Sequence, residues 1–162
     1  MNTQITGGVW ILYNVREVSP NIYWVGGNDR RLEQFENLFP LTNGVSYNSY
    51  LIMDEKTALI DTVDDAVTDQ YLENITHLMD GRELDYLIIN HMEPDHCGNI
   101  ENIVKMYPNV KVIGNTKSFQ LFHQFYNMDI TKNQMLVKEG DELNLGNHNL
   151  KFVFAPMVHW PE

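Results

Sequence analysis

Residues 87–99 read LIINHMEPDHCGN, and this stretch decides the fold class. The continuous apolar run over 86–89 predicts a strand that is buried on both faces, since apolar and polar residues do not alternate in it. Four side chains that can bind a metal follow within six residues, namely His91, Glu93, Asp95 and His96. Because α/β domains hold their ligands where buried strands end, the pattern predicts a functional site at the carboxyl end of this strand.

The backbone that carries these side chains is expected to be extended at first. Alternate residues of an extended chain point to the same side, so His91, Glu93 and Asp95 are expected to face one way. Pro94 is expected to keep the chain out of a helix and to hold Glu93 extended. His96 breaks the alternation, and it joins the other three only if the chain then turns into a helix.

The types of side chain indicate which metals the site would bind. Two imidazoles and two carboxylates make a set of hard donors, and the single cysteine, Cys97, offers no pair of thiolates. Four ligands this close in sequence do not fit one ion comfortably, whereas two neighbouring ions can share them through a bridging carboxylate. Such mixed shells suit iron or manganese, with zinc as an alternative. The competing interpretation is an ordinary polar surface loop, which the fixed His-x-Glu-x-Asp-His pattern disfavours.

The flanking sequence predicts alternating strands and helices, and therefore a layered α/β domain. Strands are predicted over 23–25, 46–52, 57–61, 86–89, 110–113, 134–137 and 150–154. Helices are predicted over 64–79, where Asp64 is the cap and Gly81 the stop, over 98–106 and over 116–126. Residues 28–44 are polar and unperiodic, and we expect a long loop with one helical turn there.

Composition limits the classes of partner. A chain of 162 residues is long enough for one domain with a sizeable core and too short for two ordinary ones. Its 22 acidic and 11 basic residues give a formal net charge of -11, which repels nucleic-acid phosphates and anionic membrane surfaces. No apolar run is long enough to cross a bilayer, and no signal segment is recognisable at the start. With one cysteine, which fits a reducing compartment, we expect a cytoplasmic protein with neither nucleic acid nor membrane as a partner.

The ligand-rich segment resembles the metal-binding loop of the metallo-β-lactamase superfamily, whose hydrolases usually show His-x-His-x-Asp-His. Glu93 stands where those enzymes have the second histidine, and this replacement is the signature of the flavodiiron proteins, also called A-type flavoproteins. Five further segments resemble the N-terminal domain of that family: 22–26 (IYWVG), 46–52 (SYNSYLI), 57–62 (TALIDT), 84–88 (LDYLI) and 155–161 (APMVHWP). The resemblance therefore covers nearly the whole chain.

The resemblance implies an α/β fold, the metallo-β-lactamase-like αββα sandwich, of which residues 1–162 would form the N-terminal portion. By position, His91, Glu93 and His159 would hold the iron nearer the flavin, and Asp95 and His96 would hold the other iron. The family reduces dioxygen to water or nitric oxide to nitrous oxide at this diiron site. Its electrons come from FMN, often fed by a rubredoxin-type donor, and the FMN belongs to the opposing subunit of a head-to-tail homodimer.

One departure from the family pattern affects what we expect of this chain. The family's bridging aspartate, its last histidine and its flavodoxin-like FMN domain all come after the position of Glu162. We therefore expect the N-terminal part of a larger protein, inactive on its own and able to hold at most one iron firmly. Two alternatives remain: a dinuclear zinc hydrolase of the metallo-β-lactamase fold, and an inactive fragment. Metal content distinguishes them.

The remaining histidines and the cysteine are given structural interpretations. His77 and His148 are expected to be solvated, and His123 to pack or hydrogen-bond within an aromatic helix. Cys97 is expected to be a small buried side chain rather than a nucleophile, because no separate base accompanies it. Trp160 is singled out among the aromatic residues because it adjoins a candidate ligand.

Overall fold

The structure, a computed structural model, describes residues 2–6, 9–35 and 37–162, where a series of strands is followed from residue 65 by alternating helices and strands and then by a final hairpin. The strands up to residue 60 are β1 (Asn2–Thr6), β2 (Val9–Tyr13), β3 (Arg16–Ser19), β4 (Ile22–Trp24), β5 (Gly27–Asp29), β6 (Gln34–Phe35), β7 (Phe39–Pro40), β8 (Val45–Tyr47), β9 (Tyr50–Met53) and β10 (Thr57–Ile60). The later strands are β11 (Tyr86–Ile88), β12 (Lys111–Gly114), β13 (Gln134–Leu136), β14 (Glu142–Asn144) and β15 (Asn149–Lys151). The helices are α1 (Thr68–Met79), which follows a 3₁₀ turn at Asp65–Val67, α2 (Pro94–Cys97), α3 (Ile100–Met106) and α4 (Thr116–Phe125).

A seven-stranded mixed sheet organises these elements, in the order β13-β12-β11-β10-β9-β4-β3. Strands β10 to β13 run parallel to one another, and β9, β4 and β3 continue the sheet in antiparallel pairs. Leu87 of β11 lies in register with Leu59 of β10 and Val112 of β12, and all three are buried. Ile88, the next residue of β11, points to the opposite face and is also buried, which confirms the prediction of a strand buried on both faces.

Each face of the large sheet is covered by a different layer. The helices pack on one face, where Tyr71 and Ile75 of α1 and Ile103 of α3 join the core that contains Leu87. The antiparallel hairpin of β14 and β15 packs on the other face, where Leu143 joins the core that contains Ile88. The layered α/β prediction is confirmed. Among the helices that the structure describes, none is both long and apolar enough to cross a membrane.

The segment 46–52, predicted as one strand, is divided between two sheets, so this prediction is wrong. Strand β8 pairs with β5 in a small separate sheet, and β9 belongs to the large one. The division falls at Ser49, which is buried. Its hydroxyl donates to the carbonyl of Asp61 at 3.0 Å, and its own carbonyl accepts from the Val25 N–H at 2.9 Å. These bonds satisfy the backbone where the chain leaves one sheet for the other.

The segment 28–44 also differs from its prediction. In place of a loop with a helical turn, its described residues form the short strands β6 and β7, and it begins within β5. Asp29 anchors the turn after β5, because its carboxylate accepts from the Arg31 N–H at 2.9 Å. Such side-chain bonds to nearby backbone favour turns over a helix.

The helix after the ligand-rich segment begins earlier than predicted. Helix α2 begins at Pro94, and α3 follows it, where the sequence predicted one helix from residue 98. The expectation that Pro94 keeps the chain out of a helix is wrong, because proline at the first helical position sacrifices no internal hydrogen bond. Glu93 is extended, with φ -69° and ψ 143°, as predicted. Asp95 therefore projects from a helical turn and does not continue the alternation of His91 and Glu93.

Two histidines that were expected to be solvated are held by partners, which corrects that prediction. His148 Nδ1 lies 2.6 Å from Asp54 Oδ2 and fixes the β14–β15 hairpin to the turn between β9 and β10. The rings of His77 and Tyr13 stack with their centroids 3.7 Å apart. His123 is exposed, and its Nε2 lies 3.1 Å from Gln134 Nε2 of β13, so this contact is with the neighbouring strand and not within the helix.

Candidate metal centre

The carboxyl ends of two adjacent parallel strands support the site. Asp61 directly follows β10 in a left-handed conformation with φ 55°. Its carboxylate accepts from the Asn90 N–H at 2.7 Å and from the Asn90 side-chain amide at 3.2 Å, just beyond β11. The Asp61 N–H donates to the Ile88 carbonyl at 2.8 Å. These bonds fix the backbone immediately before His91.

The closest cluster of donors consists of His91, Glu93 and His159. Glu93 Oε2 lies 2.9 Å from His91 Nε2 and 3.2 Å from His159 Nε2. The ligand atoms of the three residues lie within 4.8 Å of one another, which is the spacing that a single ion can bridge. Glu93 is buried and His159 is exposed, so the cluster opens to solvent on the side of His159.

The other two predicted residues lie beside this cluster, on α2. The His96 and His91 rings have centroids 5.3 Å apart, and His96 Nε2 lies 3.6 Å from Asp95 Oδ2. The five predicted side chains thus lie together at one end of the sheet, although α2 rather than an extended strand brings the last two there. Four of them come from the stretch that the sequence singled out, and His159 comes from the tail.

Neighbouring charges and burial act on the two α2 residues. Burial raises the pKa of Asp95, and the charge of Glu93 adds to this, while His96 opposes it. The Asp61 carboxylate, whose Oδ2 lies 3.6 Å from His96 Nδ1, raises the pKa of His96 above its usual value, against the effect of burial and with the help of the Asp95 charge. The site therefore concentrates negative charge around its imidazoles, which attracts cations.

The chemistry of these donors fits a metal ion. Asp95 Oδ1 is buried without a hydrogen-bond partner, and a buried carboxylate oxygen in that state is stabilised by a cation. The nearby thiol does not compete: Cys97 Sγ donates to the Met92 carbonyl at 3.2 Å, and burial raises its pKa to about 11. Imidazole nitrogens and carboxylate oxygens without thiolate suit iron, manganese or zinc.

Glu162 is part of the site although the sequence did not point to it. Its side chain is 1% exposed, and Oε1 lies 2.9 Å from His91 Nδ1. The same oxygen accepts from the Met92 N–H at 2.7 Å. The available signal was its position three residues after His159, a candidate ligand. Asp61 was also not predicted from the sequence. The feature that could have indicated it is an acidic residue at the end of a buried strand beside β11.

An aromatic side chain and an open cavity border the cluster. The Trp160 ring meets the His91 ring edge-on, with centroids 5.3 Å apart and planes at 85°. A cavity of about 550 Å³ adjoins His91, His159 and Trp160, and most of its remaining lining is apolar. The side of the donor cluster that faces the cavity is therefore accessible to a small molecule, whereas the side formed by α2 is packed within the protein.

Comparisons with known proteins agree with this architecture. The family model described as ODP family beta lactamase matches residues 45–162. A nitric oxide reductase from Moorella thermoacetica is 36% identical over 146 residues, which cover 90% of this chain and 36% of the relative. The structure is similar to the flavodiiron protein from Giardia intestinalis, with a TM-score of 0.86 and 28% identity over 93% of this chain and 36% of that one. It is also similar to rubredoxin oxygen:oxidoreductase from Desulfovibrio gigas, with a TM-score of 0.84 and 29% identity over 91% of this chain and 37% of that one.

These similarities confirm the predicted fold class, a metallo-β-lactamase-like α/β domain of the flavodiiron type. The chain spans a little over a third of the length of these relatives.

Proposed function

This chain belongs to the ODP family of β-lactamase-like domains, and we propose that it supplies part of the non-haem diiron site of a flavodiiron oxidoreductase. The complete protein would reduce dioxygen to water or nitric oxide to nitrous oxide with electrons from FMN. The observation that supports this proposal most strongly is that Glu93 contacts both His91 and His159 at the end of β11.

The donors divide into two groups by their geometry. Nε2 of His91, Oε2 of Glu93 and Nε2 of His159 converge on one point and would hold the first iron. Asp95 and His96, on the adjacent turn of α2, would hold the second. When bound, the two irons supply electrons and open positions for the diatomic substrate.

The residues of this chain position and tune these groups. Glu93 places a negative charge where the related hydrolases have an imidazole, which raises electron density at the metal and favours oxidised iron over a zinc pair. Asp61 fixes the backbone ahead of His91 through Asn90. The Trp160 ring packs edge-on against the His91 ring. Together these contacts hold the donors ready to bind a metal.

The remaining parts of the proposal concern the complete protein. The relatives include a nitric oxide reductase and a rubredoxin oxygen:oxidoreductase. The name of the second supports a rubredoxin-type donor for the complete protein. The resemblance to the flavodiiron family is the basis on which we further propose FMN on a flavodoxin-like domain and a head-to-tail homodimer. Residues 1–162 would be the N-terminal portion of its diiron domain, and a further carboxylate and histidine would complete the second iron position.

Metal analysis tests this function. The natural protein is purified without oxygen, its iron and zinc are counted, and its consumption of dioxygen and nitric oxide is followed with a reductant. We expect two irons for each diiron domain and reduction of at least one of the two gases. Stoichiometric zinc without iron, together with esterase or lactamase activity, would show that the protein is a hydrolase.

A further inference from the structure

The His91 ring is contacted by carboxylate oxygens on both of its nitrogens. Nε2 lies 2.9 Å from Glu93 Oε2, on the side where the donors converge. Nδ1 lies 2.9 Å from Glu162 Oε1, on the opposite side of the ring. The two carboxylates differ in their surroundings, because Glu93 also contacts His159, whereas Glu162 Oε1 accepts from the Met92 N–H.

We propose that Glu162 is a positioning residue that holds His91 in the tautomer with its proton on Nδ1, so that Nε2 keeps its lone pair for the metal. A neutral imidazole carries one ring proton, and a carboxylate beside Nδ1 accepts a hydrogen bond only if the proton is there. Such an outer carboxylate fixes the orientation of a ligating histidine and increases its basicity. The inference rests on the proposed function, because it requires His91 to be a metal ligand.

The burial and the second hydrogen bond of Glu162 make it suited to this role. Its side chain is 1% exposed, so water does not compete for the bond with His91. The Met92 N–H, 2.7 Å from Oε1, holds that oxygen in place next to the ring. Because Met92 directly follows His91, a single oxygen is fixed to both the backbone and the ring of the same segment.

Glu162 also holds the tail that carries His159. A test must therefore separate the orientation of His91 from the anchoring of this tail. Glu139 provides the matched control. Its Oε2 accepts from the Phe154 N–H at 2.6 Å and so also holds the tail, but it belongs to the exposed surface and no contact with His91 is observed. Glu162→Ala removes both the orientation and the anchoring, whereas Glu139→Ala removes only an anchoring bond.

The measurement is the affinity of the chain for Zn²⁺, by competition with a chelator, together with ¹⁵N NMR of histidine-labelled protein in the zinc-bound state. His91→Gln identifies the His91 signals. We expect coordination through Nε2 and a proton on Nδ1. Glu162→Ala should weaken zinc binding about 10- to 100-fold, Glu162→Gln should weaken it less because its amide oxygen still accepts, and Glu139→Ala should leave it close to that of the unaltered chain.

The possible outcomes separate this inference from the proposed function. Coordination of His91 through Nδ1, unchanged affinity in Glu162→Ala, or an equal loss in Glu139→Ala would overturn the role of Glu162 and leave the metal site standing. If the unaltered chain binds neither Zn²⁺ nor Fe²⁺, or if His91→Gln binds as well as the unaltered chain, both the metal site and the inference are overturned.

Discussion

At the scale of single residues, the proposed preference for iron depends on Glu93. Its Oε2 lies within 2.9 Å and 3.2 Å of two imidazole nitrogens, and Glu93 itself is buried. A carboxylate at this position adds negative charge and a hard oxygen donor to a shell that would otherwise have one more imidazole. Imidazole suits zinc well, and the oxygen donor shifts the balance toward iron.

We therefore expect Glu93→His to shift the metal preference toward zinc. After equilibration with equal Fe²⁺ and Zn²⁺ without oxygen, the bound zinc-to-iron ratio should rise about tenfold, equivalent to about 1.4 kcal/mol. Elemental analysis of the desalted protein measures the ratio. The exposed Glu73 of α1 provides the control, because Glu73→His adds a histidine on the surface of a helix that carries none of the five candidate ligands. An unchanged ratio in Glu93→His would contradict the role given to this carboxylate.

Asp61 makes a separate contribution to the stability of the site. Its carboxylate satisfies the Asn90 N–H, and its left-handed backbone, with φ 55°, is one that alanine adopts poorly. We expect Asp61→Ala to lower the free energy of unfolding by about 2–4 kcal/mol, because it leaves the partly buried Asn90 N–H unsatisfied and strains the backbone. Asp61→Asn keeps an acceptor and tolerates this conformation, so about half of that loss is expected. Urea unfolding of metal-free protein measures both, and an equal loss in the two variants would contradict this explanation.

The residues of the site differ in how far the sequence could predict them. His91, Glu93, Asp95 and His96 lie close together in the chain and form a pattern that local reasoning can detect. Glu162 contacts His91 across 71 positions, and no local pattern signals that contact. Its role depends on where the tail folds back, which only the tertiary structure shows.

At the scale of elements, local prediction failed where a strand is held in place by contacts outside its own segment. Strand β14 has one buried apolar residue, Leu143, between two exposed polar ones, so its sequence predicts a strand only weakly. Its partner β15 and the bond between His148 and Asp54 hold it in place. The parallel strands β10, β11 and β12 each contain adjacent buried apolar residues, and for that reason they were predicted correctly.

The Asp54–His148 contact should make stability depend on pH in a defined direction. Burial alone would raise the pKa of Asp54, but hydrogen bonds from His148, Asn147 and Glu55 outweigh it and hold the pKa well below its usual range. A carboxyl group whose pKa is lowered on folding stabilises the fold above its unfolded pKa of about 4, and this contribution is lost as the pH falls further.

We expect Asp54→Asn to lower the Tm at pH 7, with a difference from the unaltered protein that shrinks steadily below about pH 4. This difference in Tm is measured between pH 2 and 7 by thermal unfolding, with circular dichroism as the signal. Glu73→Gln, which removes an exposed carboxylate of α1, is the control and should show little difference at any pH. A difference for Asp54→Asn that is constant over the whole range would contradict the assignment.

At the scale of the whole molecule, the tail after β15 presents apolar surface beside the site. Val153, Met157 and Val158 are 72%, 78% and 77% exposed. They lie in the same segment as His159, and Val153 and Val158 also line the cavity next to the cluster. A concentration of exposed apolar side chains indicates a surface that another part of a protein covers, and it promotes association when uncovered.

We expect the 162-residue chain alone to show no sustained reduction of dioxygen or nitric oxide. Three donors converge at one iron position and two at the other, and no pattern in the sequence resembles a flavin site. Gas consumption with dithionite and added FMN, in parallel with iron counting, is the measurement. Rates similar to those of an intact flavodiiron protein, with two irons retained after desalting, would show that the chain needs no further residues.

Iron retention by this chain tests the central claim most directly, because the claim is that His91, Glu93 and His159 form an iron site. The metal-free chain is loaded with ⁵⁷Fe²⁺ without oxygen, desalted, and examined by elemental analysis and Mössbauer spectroscopy, beside Glu93→Ala and the control Glu73→Ala. We predict that the unaltered chain and the control each retain about one high-spin ferrous ion with nitrogen and oxygen ligands, and that Glu93→Ala retains almost none. Retention of equal iron by Glu93→Ala and the unaltered chain, or of no iron by any of the three, would contradict the account.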